Sequence, residues 1–163
     1  MTPGAHAGPI LQFAHALCRR TSRAHAFVFS TGMRSVTRAL RAPEQAGRTL
    51  PDLGDAWGGG TRIGANLAEF VRASGTQLLQ PDTVVLIASD GLDAGDIAAL
   101  ERAMRALRGR SGAVVWLNPH AAGPTFVPSA GGMRAALPYV TLLAAARDRT
   151  DFVRLARTMA RTV

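Results

Sequence analysis

Two short segments of the chain carry residue types able to bind a metal ion or an anion. Gly58–Gly64 (GGGTRIG) combines glycines, which let a backbone approach a ligand closely, with the hydroxyl of Thr61. Ser89–Asp93 (SDGLD) places the carboxylate of Asp90 directly after a strongly apolar run. Each side chain also has a structural interpretation, Thr61 as cap of a helix that begins near Ile63 and Asp90 as acceptor for loop amides. Taken singly, each residue favours the structural interpretation.

Other kinds of chemistry find less support in the sequence. The glycine run lacks the lysine of a phosphate-cradling loop, so an enzyme that binds a nucleotide or phosphate there is the alternative rather than the leading hypothesis. The single cysteine, Cys18, excludes an internal disulfide and a zinc site built on several thiolates. The four histidines show no ligand-like helical spacing, and we expect Trp57 and Trp116 to be packing residues.

The composition indicates one globular domain. Among 163 residues, 47% are hydrophobic and 18% charged, which is typical of a chain that folds around a core. No apolar run reaches the roughly 20 residues of a membrane span, and the start does not resemble a secretory signal, so we expect a cytoplasmic protein.

The basic charge does not predict specific nucleic-acid binding. The net charge is +8, but all 19 basic residues are arginines dispersed along the chain, and aromatic residues make up only 6%. Any DNA binding should therefore be independent of sequence and should collapse as salt rises. A diffuse positive field favours an acidic protein partner instead.

Hydrophobic periodicity predicts strands that alternate with helices, and hence an α/β fold with a mostly parallel sheet covered by helices on both faces. Asp93 and Asp96 are both predicted to cap the helix that follows them. The predicted elements are a helix from Pro9 to Arg20, a strand His25–Ser30, an edge strand Arg34–Leu40, a helix from Ile63 to Val71, a strand Thr83–Ala88, a helix carrying Ile97, Leu100, Met104 and Leu107, strands Ala113–Leu117 and Tyr139–Leu143, and a last helix opened by Thr150 or Asp151.

Five segments, taken in order, resemble the CoxE-like von Willebrand factor A (VWA) proteins. WGGGTRIG looks like the family's W-S-G-G-T-R-I-G, and VVLIASDGLDAGD looks like its V-V-L-I-x-S-D-G-L-D-x-G-D. The others are FVFST followed by VTRAL, then VVWLNP, and finally GMRAALPYV. Any one of these matches is weak, but five in sequence order are specific.

The resemblance implies a Rossmann-like VWA fold with a metal-ion-dependent adhesion site. In the family, a D-x-S-x-S loop, a threonine and an aspartate hold the metal, usually Mg²⁺, and Thr61 and Asp90 match the threonine and the aspartate. The resemblance further implies a non-enzymatic protein-binding module. Its expected partner is a MoxR-type AAA+ ATPase, in the maturation of a molybdenum enzyme such as carbon monoxide dehydrogenase.

The sequence departs from the family pattern at its start, because it contains no D-x-S-x-S and no strand precedes the first helix. We therefore expect residues 1–163 to form one VWA-like domain that is incomplete at its N-terminus and lacks the first, central strand. The two strands that flank that position, His25–Ser30 and Thr83–Ala88, would then have unpaired edges and make the chain marginally stable. Two ligands alone should bind Mg²⁺ weakly. An inert truncated product is a further alternative.

Overall fold

The computed structural model describes residues 7–42, 61–123 and 126–162. The elements of this part of the chain are α1 (Ala7–Arg20), β1 (Phe27–Phe29), β2 (Met33–Ser35), α2 (Thr37–Arg41), α3 (Ile63–Ala73), α4 (Gly75–Leu78), β3 (Val84–Ala88), α5 (Ile97–Arg110), β4 (Ala113–Leu117), α6 (Gly131–Ala136), β5 (Leu142–Ala144) and α7 (Arg149–Thr162). A 3₁₀ turn, Leu137–Tyr139, joins α6 to β5.

The centre of the fold is a parallel sheet in the order β3-β4-β5. All five residues of β4 are buried, as expected for a strand that has neighbours on both edges and helices on both faces. This arrangement confirms the predicted α/β class.

Successive side chains of β3 and β4 point to opposite faces of the sheet, so each face has its own core. Val114 and Trp116 point toward α3 and α5, where they join a core with Leu67, Leu100 and Met104. On the other face α1 and α7 cover the strands, and that core contains Ile10, Phe13, Val115, Leu117, Phe152 and Leu155. The rings of Phe13 and Phe152 stack there with centroids 4.6 Å apart.

The strands β1 and β2 form a separate antiparallel hairpin. It packs against α3, where the ring of Phe27 meets the ring of Phe70 edge-on at 5.2 Å. An ion pair between Arg23 and Asp82 joins the segment before β1 to the segment before β3. Among the elements described, β3 has a pairing partner on one edge only, as does β1. The expectation that the family's central strand, which would lie between them, is missing from this chain stays a prediction.

The predicted edge strand Arg34–Leu40 is wrong in its second half, which forms α2. Only Met33–Ser35 pairs with β1. The physical reason is the spacing of Val36 and Leu40, which lie one helical turn apart and are both buried with Cys18 of α1. Packing against α1 therefore outweighs the strand propensity of the segment.

The predicted strand Tyr139–Leu143 is also displaced. Pro138 lies in the 3₁₀ turn, where its lack of an N–H costs nothing, and β5 begins only at Leu142. Thr141 already contacts β4, because its N–H donates to the Val114 carbonyl at 2.7 Å. The short helix α6, which the sequence did not predict, forms because Met133 and Ala136 bury against the α3–α5 core.

The last helix begins at Arg149, one or two residues before the predicted start at Thr150 or Asp151. Asp148 caps it, since its carboxylate accepts the Asp151 N–H at 3.0 Å. The carboxylate of Asp151 in turn accepts the N–H and the Nε–H of Arg147, at 3.0 and 2.9 Å. Asp151 is 3% exposed, so these donors replace the water that its charge has lost.

Replacement of Gly64 by alanine should destabilise the fold. A Cβ at Gly64 would lie 2.5 Å from the backbone nitrogen of Leu100, where α3 crosses α5, and the backbone of a helix cannot easily give way. Overpacking of this kind costs on the order of 1–3 kcal/mol, and we expect the upper end of that range in urea unfolding. The matched control is Gly109→Ala on α5, where a Cβ would meet nothing within 4 Å and should be neutral or slightly stabilising. Equal stability of the two variants would contradict the close crossing.

Replacement of Asp151 by asparagine should destabilise the fold in a pH-dependent way. The hydrogen bond from Arg147 lowers the pKa of Asp151 in the folded chain. The ionised carboxylate therefore stabilises the fold fully at any pH above the pKa that Asp151 has in the unfolded chain. We expect a loss of about 1–2 kcal/mol at neutral pH, since Arg147 is half-exposed and partly screened. The difference from the parent chain should shrink as the pH falls below about 4.

Glu69→Gln is the control for this experiment, because the Glu69 carboxylate is exposed and lies 3.9 Å from Arg72. Such a surface pair should contribute little at any pH. A loss of stability in Asp151→Asn that does not change between pH 7 and pH 3 would show that packing, rather than charge, is responsible.

Candidate functional site

Thr61 and Asp90 line the same shallow cavity at the carboxyl end of β3. Thr61 lies just before α3, whereas Asp90 follows β3 by two residues. The remaining lining residues come from the loop after β3, the start of α5 and the start of α6: Gly91, Leu92, Asp93, Ala94, Ile97, Gly131 and Gly132. The structure thus brings the two sequence-predicted residues together. Their role as metal ligands stays a prediction.

Hydrogen bonds from β4 and from the residue that follows it fix the loop that carries Asp90. The indole Nε1 of Trp116 donates to the Ser89 carbonyl at 2.9 Å. The side-chain amide of the buried Asn118 donates to the Asp90 carbonyl at 3.1 Å. Trp116 is therefore a packing residue, as predicted, that also positions the loop.

The turn after Asp90 requires a glycine. Gly91 has φ +82°, a conformation that side chains other than hydrogen disfavour, and a Cβ there would lie 2.7 Å from the Met133 side chain. The Asp90 carboxylate accepts the Leu92 N–H at 3.0 Å, and the Ser89 hydroxyl accepts the Gly91 N–H at 3.1 Å. Asp90 thus has the loop-amide role that its structural interpretation predicted. The Asp90 oxygen that accepts the Leu92 N–H is Oδ1.

Asp93 holds this loop against α3. Its two carboxylate oxygens accept the N–H groups of Ile63 and Gly64, both at 3.0 Å, and Oδ1 also accepts the Gly95 N–H at 2.8 Å. A carboxylate in this place satisfies free N–H groups of the first helical turn and lies at the positive end of the helix dipole. The Ala94 N–H further donates to the Thr61 carbonyl at 2.9 Å, which ties Thr61 to the same loop.

This geometry corrects two sequence-based predictions about caps. Thr61 does not cap α3, whose N-cap position is Arg62 without a side-chain cap bond. Asp93 caps α3 rather than the helix that follows it. Asp96 alone caps α5, by accepting the Ala98 N–H at 2.9 Å.

The described residues do not complete a magnesium site. Mg²⁺ requires close to octahedral oxygen ligation, and the cavity offers the Thr61 hydroxyl and the Asp90 carboxylate. Both oxygens of Asp93 are already used by backbone N–H groups. Within the part of the chain that the structure describes, no group of three or more His, Cys, Asp or Glu side chains converges.

The other candidates are placed as follows. Cys18 is buried, and the loss of water raises the pKa of its thiol, an effect that Arg41 partly opposes. An uncharged, buried thiol is a packing residue rather than a nucleophile. The glycines Gly58–Gly60 and Trp57 lie outside the described residues, so predictions about them stay open.

A family model described as a VWA domain containing CoxE-like protein matches residues 6–150. The chain belongs to the CoxE-like VWA family. The match covers both motifs that carry Thr61 and Asp90, and it confirms the resemblance predicted from five short segments. No curated protein and no solved structure matches the chain. The helices described for this CoxE-like chain include none with the length and apolar character needed to cross a membrane.

The CoxE-like chain should bind Mg²⁺ weakly or not at all, because the two ligands that its described residues supply cannot displace the ion's tightly held water. Isothermal titration calorimetry with MgCl₂ should show no saturable one-to-one binding. The matched variants are Asp90→Ala, which removes the candidate carboxylate, and Glu69→Ala, which removes an exposed carboxylate on α3. Tight binding that Asp90→Ala abolishes and Glu69→Ala retains would show that the site has further ligands.

Proposed function

We propose that this chain is a non-enzymatic protein-binding module whose partner contacts the face formed by Thr61 and Asp90. One observation carries the proposal: the two side chains, 29 positions apart in the sequence, line one cavity at the carboxyl edge of a parallel sheet. That edge is where open α/β sheets bind their ligands. Membership of the VWA family supports a protein as the ligand.

The absence of paired catalytic groups around the cavity supports a binding role rather than catalysis. Its lining, in the part of the chain described, includes no histidine, cysteine or lysine. Of its two carboxylates, Asp93 is engaged in capping α3 and is a poor candidate for proton transfer. Asp90 would have to act without a second acid or base, whereas acid–base catalysis normally pairs two positioned groups.

The finer proposal is that the module is an adaptor for a MoxR-type AAA+ ATPase in the maturation of a molybdenum enzyme such as carbon monoxide dehydrogenase. The support is the family assignment together with the resemblance of the Thr61 and Asp90 motifs to the CoxE-like pattern. The described residues do not complete a magnesium site, so we do not propose a contact through a metal ion. The loop face itself is the proposed contact.

Binding of a purified MoxR-type ATPase from the same source to the immobilised chain tests this proposal. The double variant Thr61→Ala/Asp90→Ala should bind at least about tenfold more weakly, equivalent to about 1.4 kcal/mol of binding free energy. The matched control, Thr76→Ala/Glu69→Ala, removes the same groups from exposed positions on α4 and α3. Equal affinities of the two double variants would contradict the proposed face, and no binding by the parent chain would contradict the ATPase role.

A further inference from the structure

One packed unit of the chain contains no acidic residue. Helices α1 and α2 and the hairpin of β1 and β2 share a small core of their own around Cys18, Val36 and Leu40. Residues 7–42, which form this unit, include six arginines and no aspartate or glutamate. All six are exposed: Arg19, Arg20, Arg23, Arg34, Arg38 and Arg41. Although arginines are dispersed along the whole chain, the carboxylates that could balance them are missing from this unit.

Three of these arginines meet at one cavity beside the end of α1. Arg19 and Arg20 belong to the last turn of α1, and Arg41 is the last residue of α2. The cavity has a volume of about 380 Å³ and is lined by Cys18, Arg19, Arg20, Thr21, Ser22 and Arg41. No carboxylate of the described residues lines it, and none of the ion pairs between described residues involves its three arginines. The lining therefore carries positive charge only.

The Arg41 guanidinium has a defined position in the wall of this cavity. Its Nη2 donates to the carbonyl oxygens of Ser22 and Ala24, at 2.7 and 2.9 Å. Burial raises the pKa of the Cys18 thiol, and Arg41 partly opposes this rise, as expected for a guanidinium close to that wall. The bonds to the two carbonyls also cover oxygens that would otherwise repel an anion. Among the described residues, Nε and Nη1 of Arg41 have no acceptor, so these donors remain for a ligand.

The number of donors around the cavity indicates which anion it suits. Besides the three guanidinium groups, the hydroxyls of Thr21 and Ser22 belong to the lining. Thr21 Oγ1 accepts the Arg23 N–H at 3.1 Å, which leaves the hydroxyl hydrogen of Thr21 to be donated. A carboxylate has only two oxygens to accept these donors, whereas a diphosphate group presents more oxygens and two adjacent centres of negative charge. The cavity volume lies within the range of small-ligand pockets, roughly 300–1,000 Å³.

We propose that this cavity binds the diphosphate group of a small molecule. Arg41 forms the fixed wall of the site, and Arg19 and Arg20 contact the same group from the last turn of α1. Arginine suits this role because its planar guanidinium donates to two phosphate oxygens at once. The site shares no lining residue with the cavity of Thr61 and Asp90, so this inference does not depend on the proposed function.

Isothermal titration calorimetry of the full chain with sodium pyrophosphate, in EDTA and about 50 mM NaCl, tests the proposal. We expect saturable one-to-one binding that weakens as the NaCl concentration rises, because the arginines are exposed and screened by salt. Citrate, an anion of comparable charge built from carboxylates, should bind at least fivefold more weakly. Equal affinity for citrate, or no saturation up to about 10 mM pyrophosphate, would overturn the proposal.

Matched double variants separate the cavity from the overall charge of the chain. Arg19→Gln/Arg20→Gln should weaken pyrophosphate binding at least fivefold. The control, Arg157→Gln/Arg161→Gln, removes the same charge from exposed positions on α7 and should change the affinity less than twofold. Equal weakening by both would show that only net charge matters. If Arg19 and Arg20 serve only to complement the dipole of α1, their replacement lowers the melting temperature but leaves the affinity unchanged, and the proposal is wrong.

A second variant addresses the opposite wall of the cavity. Arg41→Lys keeps the positive charge but loses the planar set of donors, and should weaken pyrophosphate binding at least threefold. Thermal melts verify that each variant is folded at the temperature of the titration. Affinity unchanged in Arg41→Lys would contradict the role given to the Arg41 guanidinium.

A short oligothymidylate distinguishes the other source of phosphate groups. The phosphates of a nucleic-acid strand are single and spaced along the backbone, so they cannot place two adjacent charges in the cavity. We expect the oligonucleotide to bind more weakly than pyrophosphate at equal phosphate concentration. Tighter binding of the oligonucleotide that excess pyrophosphate does not displace would show a nucleic-acid surface instead, and would overturn the proposal.

Discussion

The cap that Asp93 places on α3 is the contact on which the candidate site depends. Thr61 and Asp90 belong to different segments, which are joined by a backbone hydrogen bond from Ala94 to the Thr61 carbonyl and by the side chain of Asp93. The Asp93 carboxylate joins them because it lies three residues after Asp90 and accepts N–H groups two and three residues after Thr61. Without that cap, first-turn N–H groups of α3 would lose their acceptors, and the loop would lose its anchor.

The cap in turn depends on how closely α3 approaches α5. Gly64 allows the approach, because any side chain there would collide with the backbone of Leu100. Gly132 has the same role for α6, since a Cβ on it would lie 2.4 Å from the Gly91 carbonyl oxygen. Gly64 and Gly132 thus allow α3, α5 and α6 to pack closely together. The site is formed by the segments at the starts of these helices and by the loop after β3.

The sequence predicts the central elements well, because their signals are strong and local. β3 and β4 are uninterrupted apolar runs, whose predicted bounds agree with the structure to within one residue, and the apolar stripe of α5 correctly predicts a helix there. The errors fall where tertiary contacts decide. The segment that begins at Thr37 becomes helical because α1 offers a surface to Val36 and Leu40, and β5 starts late because Pro138 closes a turn.

The site shows the same division between local and tertiary information. The motifs located Thr61 and Asp90, but capping rules assign Asp93 to the next helix in the chain, whereas its partners lie 29 and 30 residues earlier. The exposure of Ile97 has a comparable cause. The crossing with α3 occurs at Leu100, so the first turn of α5 extends beyond the cover that α3 provides. Helical periodicity identifies a face but not how much of its length is covered.

A backbone carbonyl just after β1 also connects the hairpin to this site. The Ser30 oxygen, at the end of β1, accepts the Arg62 N–H at 3.1 Å and the side-chain amide of Asn66 at 2.8 Å. Asn66 is buried and also donates to the Arg62 carbonyl, so the start of α3 is fixed to β1 on one side and to Asp93 on the other. Thr61 and Arg62 therefore cannot keep their positions if β1 moves relative to β3. Whatever sets the spacing of those two strands also sets the geometry of the proposed binding face, because the same helix turn is bonded to the segments that follow both strands.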